Sequence, residues 1–276
     1  MRISIYIISV KYTNEIVMGL HFIEGDFLSE TDDYEAIDVE IITKPVRSKE
    51  PILIEGFPGI GLVGNIASQQ IIEELDMEYI GSIESRYFPP IAVLYEGLVN
   101  MPVRIYESEE HNIVMVVSDI PINPSVSYDV SKALVGWAKS VGVKEVISIA
   151  GIATMGDDNK VFGAATNEEM LERIKGKVEI FQMGTISGIS GSVMAECFMH
   201  GLPAISLLGA TKTQNPDPRA AAVVVDVLNS MYGFSIDTED LIEQAEKIEV
   251  EMQKLAEDVR TSEQSTTPRK EFPMYG

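Results

Sequence analysis

Soft metal ligands are scarce in this sequence, with one cysteine, Cys197, and three histidines among 276 residues. A lone cysteine cannot close an internal disulfide, and so few histidines leave no Cys/His structural zinc site to assemble. Basic residues are scarce as well, 21 against 43 acidic ones, for a formal charge of −22. A surface that tracks phosphates would have to be built against that field, so the composition argues against a nucleic-acid partner. Long apolar runs are also missing. The most apolar opening stretch, Ile3 to Val10, is eight residues long, where a membrane helix needs about 20, and no small-residue cleavage site follows it. These absences read as a soluble, reducing, cytoplasmic protein with no membrane partner.

What is present is a chain that is 45% hydrophobic and 23% charged, enough to bury one large core or two modest ones. Its acidity is not a tail property. Residues 1–50 carry 10 acids and 5 bases, and residues 238–276 carry the same 10 and 5. That evenness is general solvation and self-repulsion rather than a segment built to grip a basic partner.

Residues 1–23 are irregular in pattern and read as an N-terminal arm, poorly ordered at its start. From residue 24 to 237 the texture predicts one three-layer α/β/α domain. After a strand at Val39 to Thr43, Ile52 to Glu55, a helix from about Gly61 to Leu75 and Tyr79 to Glu84 form a βαβ-like unit. Ile91 to Tyr95, Val103 to Glu107 and Ile113 to Ser118 read as an antiparallel meander at one edge. In Ser125 to Val141 the residues Val130, Leu134, Trp137 and Val141 share one helical face, with Ser125 as N-cap and Gly142 as stop. Strands at Glu145 to Ile152, Val178 to Gln182 and Ala204 to Leu208 alternate with helices, the last running from Asp217 to Tyr232, and predict a mostly parallel sheet. Residues 238–260 predict a C-terminal amphipathic helix, because Leu241, Ala245, Ile248, Met252, Leu255 and Val259 step as a heptad seam that lies along its own domain or pairs with a copy. Residues 261–276 turn to Ser, Thr, Gln, Pro and charge and predict a flexible tail.

Two glycine-rich turns stand between a strand and a helix. In Gly56-Phe57-Pro58-Gly59-Ile60-Gly61-Leu62-Val63-Gly64 the spacing G-x-G-x-x-G fits a dinucleotide loop. Gly59 would make the tight turn, Gly61 would admit a pyrophosphate, and Gly64 would bring helix close to strand, with Asp76 or Glu78 reaching a ribose. The same glycines serve any domain whose helix starts hard against its sheet, and Asn65 and Ile66 stand where a phosphate-binding P-loop needs Lys and Ser or Thr. The second turn, Gly184 to Gly191 with Gly188 between, misses a nucleophile elbow on Ser190 because position 192 is serine. His21, His111 and His200 are poorly placed as bases, Cys197 reads as a buried structural residue, and Asp157-Asp158-Asn159 as an acidic turn. We therefore expect no catalytic constellation, no metal and no cofactor.

The chain ends in Met274-Tyr275-Gly276: hydrophobic, tyrosine, any residue, free carboxylate. A coil from Thr261 onward reaches roughly 20 to 25 Å, enough to carry an aromatic ring and a carboxylate into a pocket on another protein.

The segment Ile54 to Asn65, the loop Gly184 to Gly191 and Pro216-Asp217-Pro218-Arg219-Ala220-Ala221 resemble the proteasome assembly chaperone 2 family in its archaeal branch. The resemblance spans about Glu24 to Gly233. It implies a fold similar to nucleoside phosphorylases, homo-oligomers, and no established catalytic residues. It further implies that Met274, Tyr275 and Gly276 match the hydrophobic-Tyr-X tail that docks between adjacent α subunits of the 20S proteasome. The glycine-rich turns (Gly56, Pro58, Gly59, Gly61, Gly64, Gly184, Gly188, Gly191) then read as structural or partner-facing. The expected function is a non-enzymatic chaperone or regulator of the proteasome α ring, and the alternative is a nucleotide- or nucleoside-binding enzyme using Gly59 to Gly64.

Overall fold

Strands that lie buried on both faces read as continuous apolar runs, and three such runs form the middle of this molecule. The computed structural model describes residues 6–12, 15–21, 39–95, 97–154, 160–212 and 214–247. Numbered in chain order, the first elements are β1 (Tyr6–Tyr12), β2 (Glu15–His21), β3 (Val39–Thr43), β4 (Ile52–Gly56), α1 (Val63–Glu74) and β5 (Glu78–Ser85). Then come β6 (Val93–Tyr95), β7 (Leu98–Asn100), β8 (Val103–Ser108), β9 (Ile113–Ser118), α2 (Pro124–Ser140), β10 (Glu145–Ala153) and β11 (Val161–Ala165). The series ends with α3 (Glu168–Ile174), β12 (Glu179–Ile180), α4 (Gly188–Met199), β13 (Ala204–Thr211) and α5 (Pro218–Tyr232).

Nine strands form one sheet in the order β12-β11-β13-β10-β4-β9-β8-β5-β3. Its centre, β13-β10-β4-β9, is parallel throughout, and every residue of β4, β9 and β13 is buried. Antiparallel strands flank that centre, with β8, β5 and β3 on one side and β11 on the other. The mostly parallel α/β sheet with an antiparallel edge matches the expected fold class.

Successive side chains along a strand point to opposite faces, and β4 divides accordingly. Ile54 joins Ile71 of α1 and Val224 of α5 in one core, while Leu53 joins Val130 of α2 and Val193 of α4 in the other. The two cores are the interfaces of a three-layer α/β/α arrangement.

Helix starts follow local chemistry. Asp217 accepts a hydrogen bond from the Ala220 amide at 3.0 Å with Pro218 in the first turn, as the sequence predicts, and Gly233 closes α5 at φ 74°. On α2 the cap is Asn123, which accepts from the Ser125 amide at 2.9 Å, with Pro124 next. The expected Ser125 cap is therefore two residues late, because the proline at the first helical position pushes the cap upstream.

Two expectations change. Strand β11 was not among the strands expected from the sequence. The segment Ile91 to Tyr95 does not continue a meander in the main sheet, since β6 pairs with β7 as a separate two-stranded ladder. Strands β1 and β2, within the stretch read as an arm, also pair with each other. Residues 239–247 are helical, and Leu241 and Ala245 at the start of the heptad seam are buried, Leu241 in the core beneath α1 and α5. The rest of that seam and the tail lie outside the described residues.

Candidate functional site

The three segments that carry the family resemblance meet at the carboxyl ends of the parallel strands. From β4 the chain crosses through α1 on one face, and from β9 through α2 on the other. The crevice between β4 and β9 is therefore a topological switch point, where open α/β sheets place their ligand sites. It is a shallow hollow of about 330 Å³ lined by Pro58, Gly59, Leu62, Asn65, Asp119 and Pro121. The Asn65 side chain donates to the Ser118 carbonyl at 2.6 Å, and Asp119 is held by an ion pair with Arg104.

The glycines of the first turn have unequal jobs. A Cβ on Gly64 would stand 2.3 Å from the Ile149 carbonyl oxygen, and one on Gly56 2.2 Å from the Gly64 carbonyl oxygen, so α1 can approach the sheet only with glycine at both positions. Gly61 is buried at φ 64°, covered by Thr211 and Asp217, and its carbonyl accepts from the Asp217 amide at 2.8 Å. The backbone face a pyrophosphate would need is thus occupied by the loop leading into α5. Gly59 has open space around it and Pro58 lines the hollow.

The second turn closes over the same end of β4. Gly191 packs where a Cβ would stand 2.1 Å from the Ile186 carbonyl oxygen, Gly188 sits at φ 73°, and Gly184 lies against the Phe181 ring. The Ser190 hydroxyl reaches Glu55 Oε2 at 3.5 Å, and the Phe57 amide reaches the same oxygen at 3.4 Å. The two glycine-rich turns therefore meet on one carboxyl group.

Glu55 is the residue that the sequence reading passed over. It is fully buried, and among the described residues no cation shifts it and no hydrogen bond reaches its Oε1. In register across β10 and β13 stand Ser148 and Ser206, also fully buried; the Ser148 hydroxyl lies near Glu55 just beyond hydrogen-bond distance, and the Ser206 hydroxyl has no partner among the described residues. All three share the face covered by α4. Burial pushes the Glu55 carboxyl up to about 7, with the nearby Ser148 and Ser190 hydroxyls and the Phe57 amide pulling the other way. The signal was a glutamate at the end of the otherwise apolar Ile52-Leu53-Ile54 run.

The one cysteine brings no activated thiolate to it. The Cys197 thiol is buried, and that burial first, then the charges of Glu55 and Glu196, pushes it up to about 12, the opposite of an activated thiolate. His200 caps the C-terminal end of α4 beside Glu196 at 3.3 Å, and His111 pairs with the Ser108 hydroxyl at 3.0 Å, far along the chain from Glu55. Asp157, Asp158, Asn159 and the terminal Met274, Tyr275 and Gly276 lie outside the described residues. Among the described residues no group of three or more His, Cys, Asp or Glu is arranged to hold a metal, and no helix is long and apolar enough to cross a membrane.

Fold and site together define a three-layer α/β protein whose switch-point loops are tied down by packing and gathered on a buried acid. The chain belongs to the PAC2 family, whose model matches residues 53–256. It is 37% identical over 230 residues to the uncharacterized protein MJ0106 of Methanocaldococcus jannaschii, covering 83% of this chain and 94% of that one. Among solved structures it is similar to Pyrococcus furiosus PbaA, described as an archaeal homolog of proteasome-assembly chaperone, at 36% identity and a TM-score of 0.74, over 82% of this chain and 94% of that one. It is also similar to P. furiosus PbaB, described as an archaeal proteasome activator, at 26% identity and a TM-score of 0.70, over 79% and 98% of the two chains.

Proposed function

We propose that this chain is a non-enzymatic assembly chaperone or regulator that binds the α ring of the 20S proteasome through Met274, Tyr275 and Gly276. Family membership and the descriptions of PbaA and PbaB support a proteasome-related role. The observation that carries the docking reading is the C-terminal sequence itself, hydrophobic residue, tyrosine and free carboxylate at the end of a polar segment. Tyr275 supplies an apolar ring with a hydrogen-bonding tip, and the Gly276 carboxylate a charge for a lysine in an inter-subunit pocket. One such peptide binds weakly, so the reading includes a homo-oligomer that presents several tails at once.

The nucleotide alternative draws little from the geometry, since Gly61 is covered by Thr211 and Asp217. The test is recovery of 20S particles on the immobilised full chain and on a chain lacking residues 274–276. Loss of at least about tenfold in recovery is expected for the truncated chain, and equal recovery would remove the docking claim.

A further inference from the structure

The elements packed around Glu55 bring it no counter-charge. Strands β9 and β13 carry no titratable side chain, and the Glu145 carboxylate of β10, at the other end of that strand, is held by Arg173. Asp119, just past β9, is held by Arg104, and Tyr128, Asp129, Lys132 and Lys139 of α2 are none of them buried. On α4 stand Cys197, whose thiol stays neutral, and Glu196, which pairs with His200. An enclosed carboxylate without a cation is costly to ionise. Ionisation therefore favours any conformation that lets water reach Glu55.

The chain that covers this acid is held differently from the strands beneath it. Strands β4, β9 and β13 are buried along their whole length, and each is paired on both sides. Residues 181–187 carry neither helix nor strand, and from Gln182 to Gly188 every residue except Ile186 is exposed. Gly188 stands at φ 73° with open space where a Cβ would lie, so the backbone can turn there without steric cost. Beyond it Ile189 and Val193 enter the core, the Ser190 hydroxyl reaches Glu55 Oε2 at 3.5 Å, and the Ser192 hydroxyl pairs with that of Ser131 on α2 at 2.7 Å. Local opening starts where buried contacts are sparse, which places it in this cover and not in the sheet.

We propose that the Gly184–Gly191 turn and the first turn of α4 form a lid over Glu55, closed while the carboxyl holds a proton and opened locally to water when it ionises. The closed state raises the carboxyl to about 7, and hydration in the open state returns it to the ordinary value. The ratio of open to closed lid then rises about tenfold per pH unit between those values and levels off above the higher one.

Hydrogen exchange at pH 5 and pH 8, corrected for the chemical exchange rate at each pH, tests this on the full chain and on Glu55→Gln, which keeps the side-chain shape and cannot ionise. The Ser192 and Val193 amides report the lid, and the Val224 and Val225 amides of α5, in the opposite core, report opening of the whole domain. In the wild type, protection of Ser192 and Val193 should fall at least about 30-fold from pH 5 to pH 8, and in Glu55→Gln it should change less than about threefold. At pH 8 the α5 amides should remain at least about tenfold better protected than the lid amides. Equal protection at the two places would mean that water reaches Glu55 only when the domain unfolds, and would overturn the lid. An equal fall in Glu55→Gln would assign the pH dependence to His200 and Glu196 and overturn it as well, as would a wild type with no fall at all.

Discussion

Beneath α4 a carboxyl and two hydroxyls lie buried without full partners, while on the β6–β7 hairpin four large apolar side chains face water. The two regions invert the usual distribution in opposite directions, and each inversion calls for a different remedy. A buried acid can discharge itself by holding a proton, a solution available inside one chain. An apolar side chain has no such option, and only another surface relieves its exposure. The interior anomaly therefore points to pH and the exterior one to association.

The largest expected effect breaks the interior half of this contrast. In the fold the Glu55 carboxyl is raised from the ordinary 4.5 to about 7, so the native state binds a proton that the unfolded chain has already released between those values. Its contribution to stability is fully present below pH 4.5 and is lost as pH rises through about 7. Integrating that difference gives about 3 kcal/mol. The groups facing Glu55 do not mask the transition in the difference curve. Ser148 and Ser206 do not titrate, Ser190 does not, and the Cys197 thiol stays neutral to about 12. Glu196, also on α4, is engaged with His200 and is common to both proteins. Glu55→Gln should therefore be more stable than wild type by about 3 kcal/mol at pH 9 and equal to it at pH 4. Urea midpoints across pH check this, and parallel wild-type and variant curves would show that Glu55 is ionised at no cost.

A smaller effect sharpens the same point with a buried acid that has a cation. Glu145 on β10 is nearly as deeply buried, but Arg173 of α3 grips it with both terminal guanidinium nitrogens, Nη1 on Oε2 and Nη2 at 3.2 Å from Oε1. Removing the partner of a buried charge leaves it uncompensated, at about 3 to 5 kcal/mol when fully enclosed. Because the Arg173 side chain is 37% exposed, water recovers part of that. Arg173→Ala should cost about 2 kcal/mol at pH 7 in chemical denaturation. A neutral result would mean that Glu145 gains nothing from its cation, and the distinction between the two acids would fall.

The contrast also marks what could be read from the sequence. Alternating strands and helices, the Asp217-Pro218 start of α5 and the close-packing role of Gly64 were legible, because each depends on neighbours in the chain and on the helix or strand period. Glu55 was visible as a strand residue but not as a lone buried acid, since its surroundings come from Ser148, Ser190 and Ser206, brought together only by sheet order. Strand β11 was hidden by the glycine in Val161-Phe162-Gly163, where a Cβ would collide with Val178 and Ile174. That glycine marks close packing rather than a loop. The hairpin was half legible. Val93 to Tyr95 has strand composition, but its partner Leu98 to Asn100 is three residues long and offers no period to detect.

The smallest expected effect bears on the exterior half. Leu94→Thr with Val99→Thr places β-branched, strand-favouring side chains at both positions and keeps the hairpin ladder while removing one apolar face. If that face touches nothing within its own copy, the dilute monomer should lose less than about 0.5 kcal/mol, as surface substitutions do. The same loss of apolar volume inside a packed core costs about 2 to 5 kcal/mol. Thermal melts between about 1 and 100 µM separate folding from association, because a subunit that binds the native state raises the midpoint with concentration. The wild-type midpoint should climb over that range and the variant midpoint stay level. A loss above about 2 kcal/mol in the dilute variant would mean that the hairpin is part of its own domain's core, and the exposed apolar surface would then need no second copy to explain it.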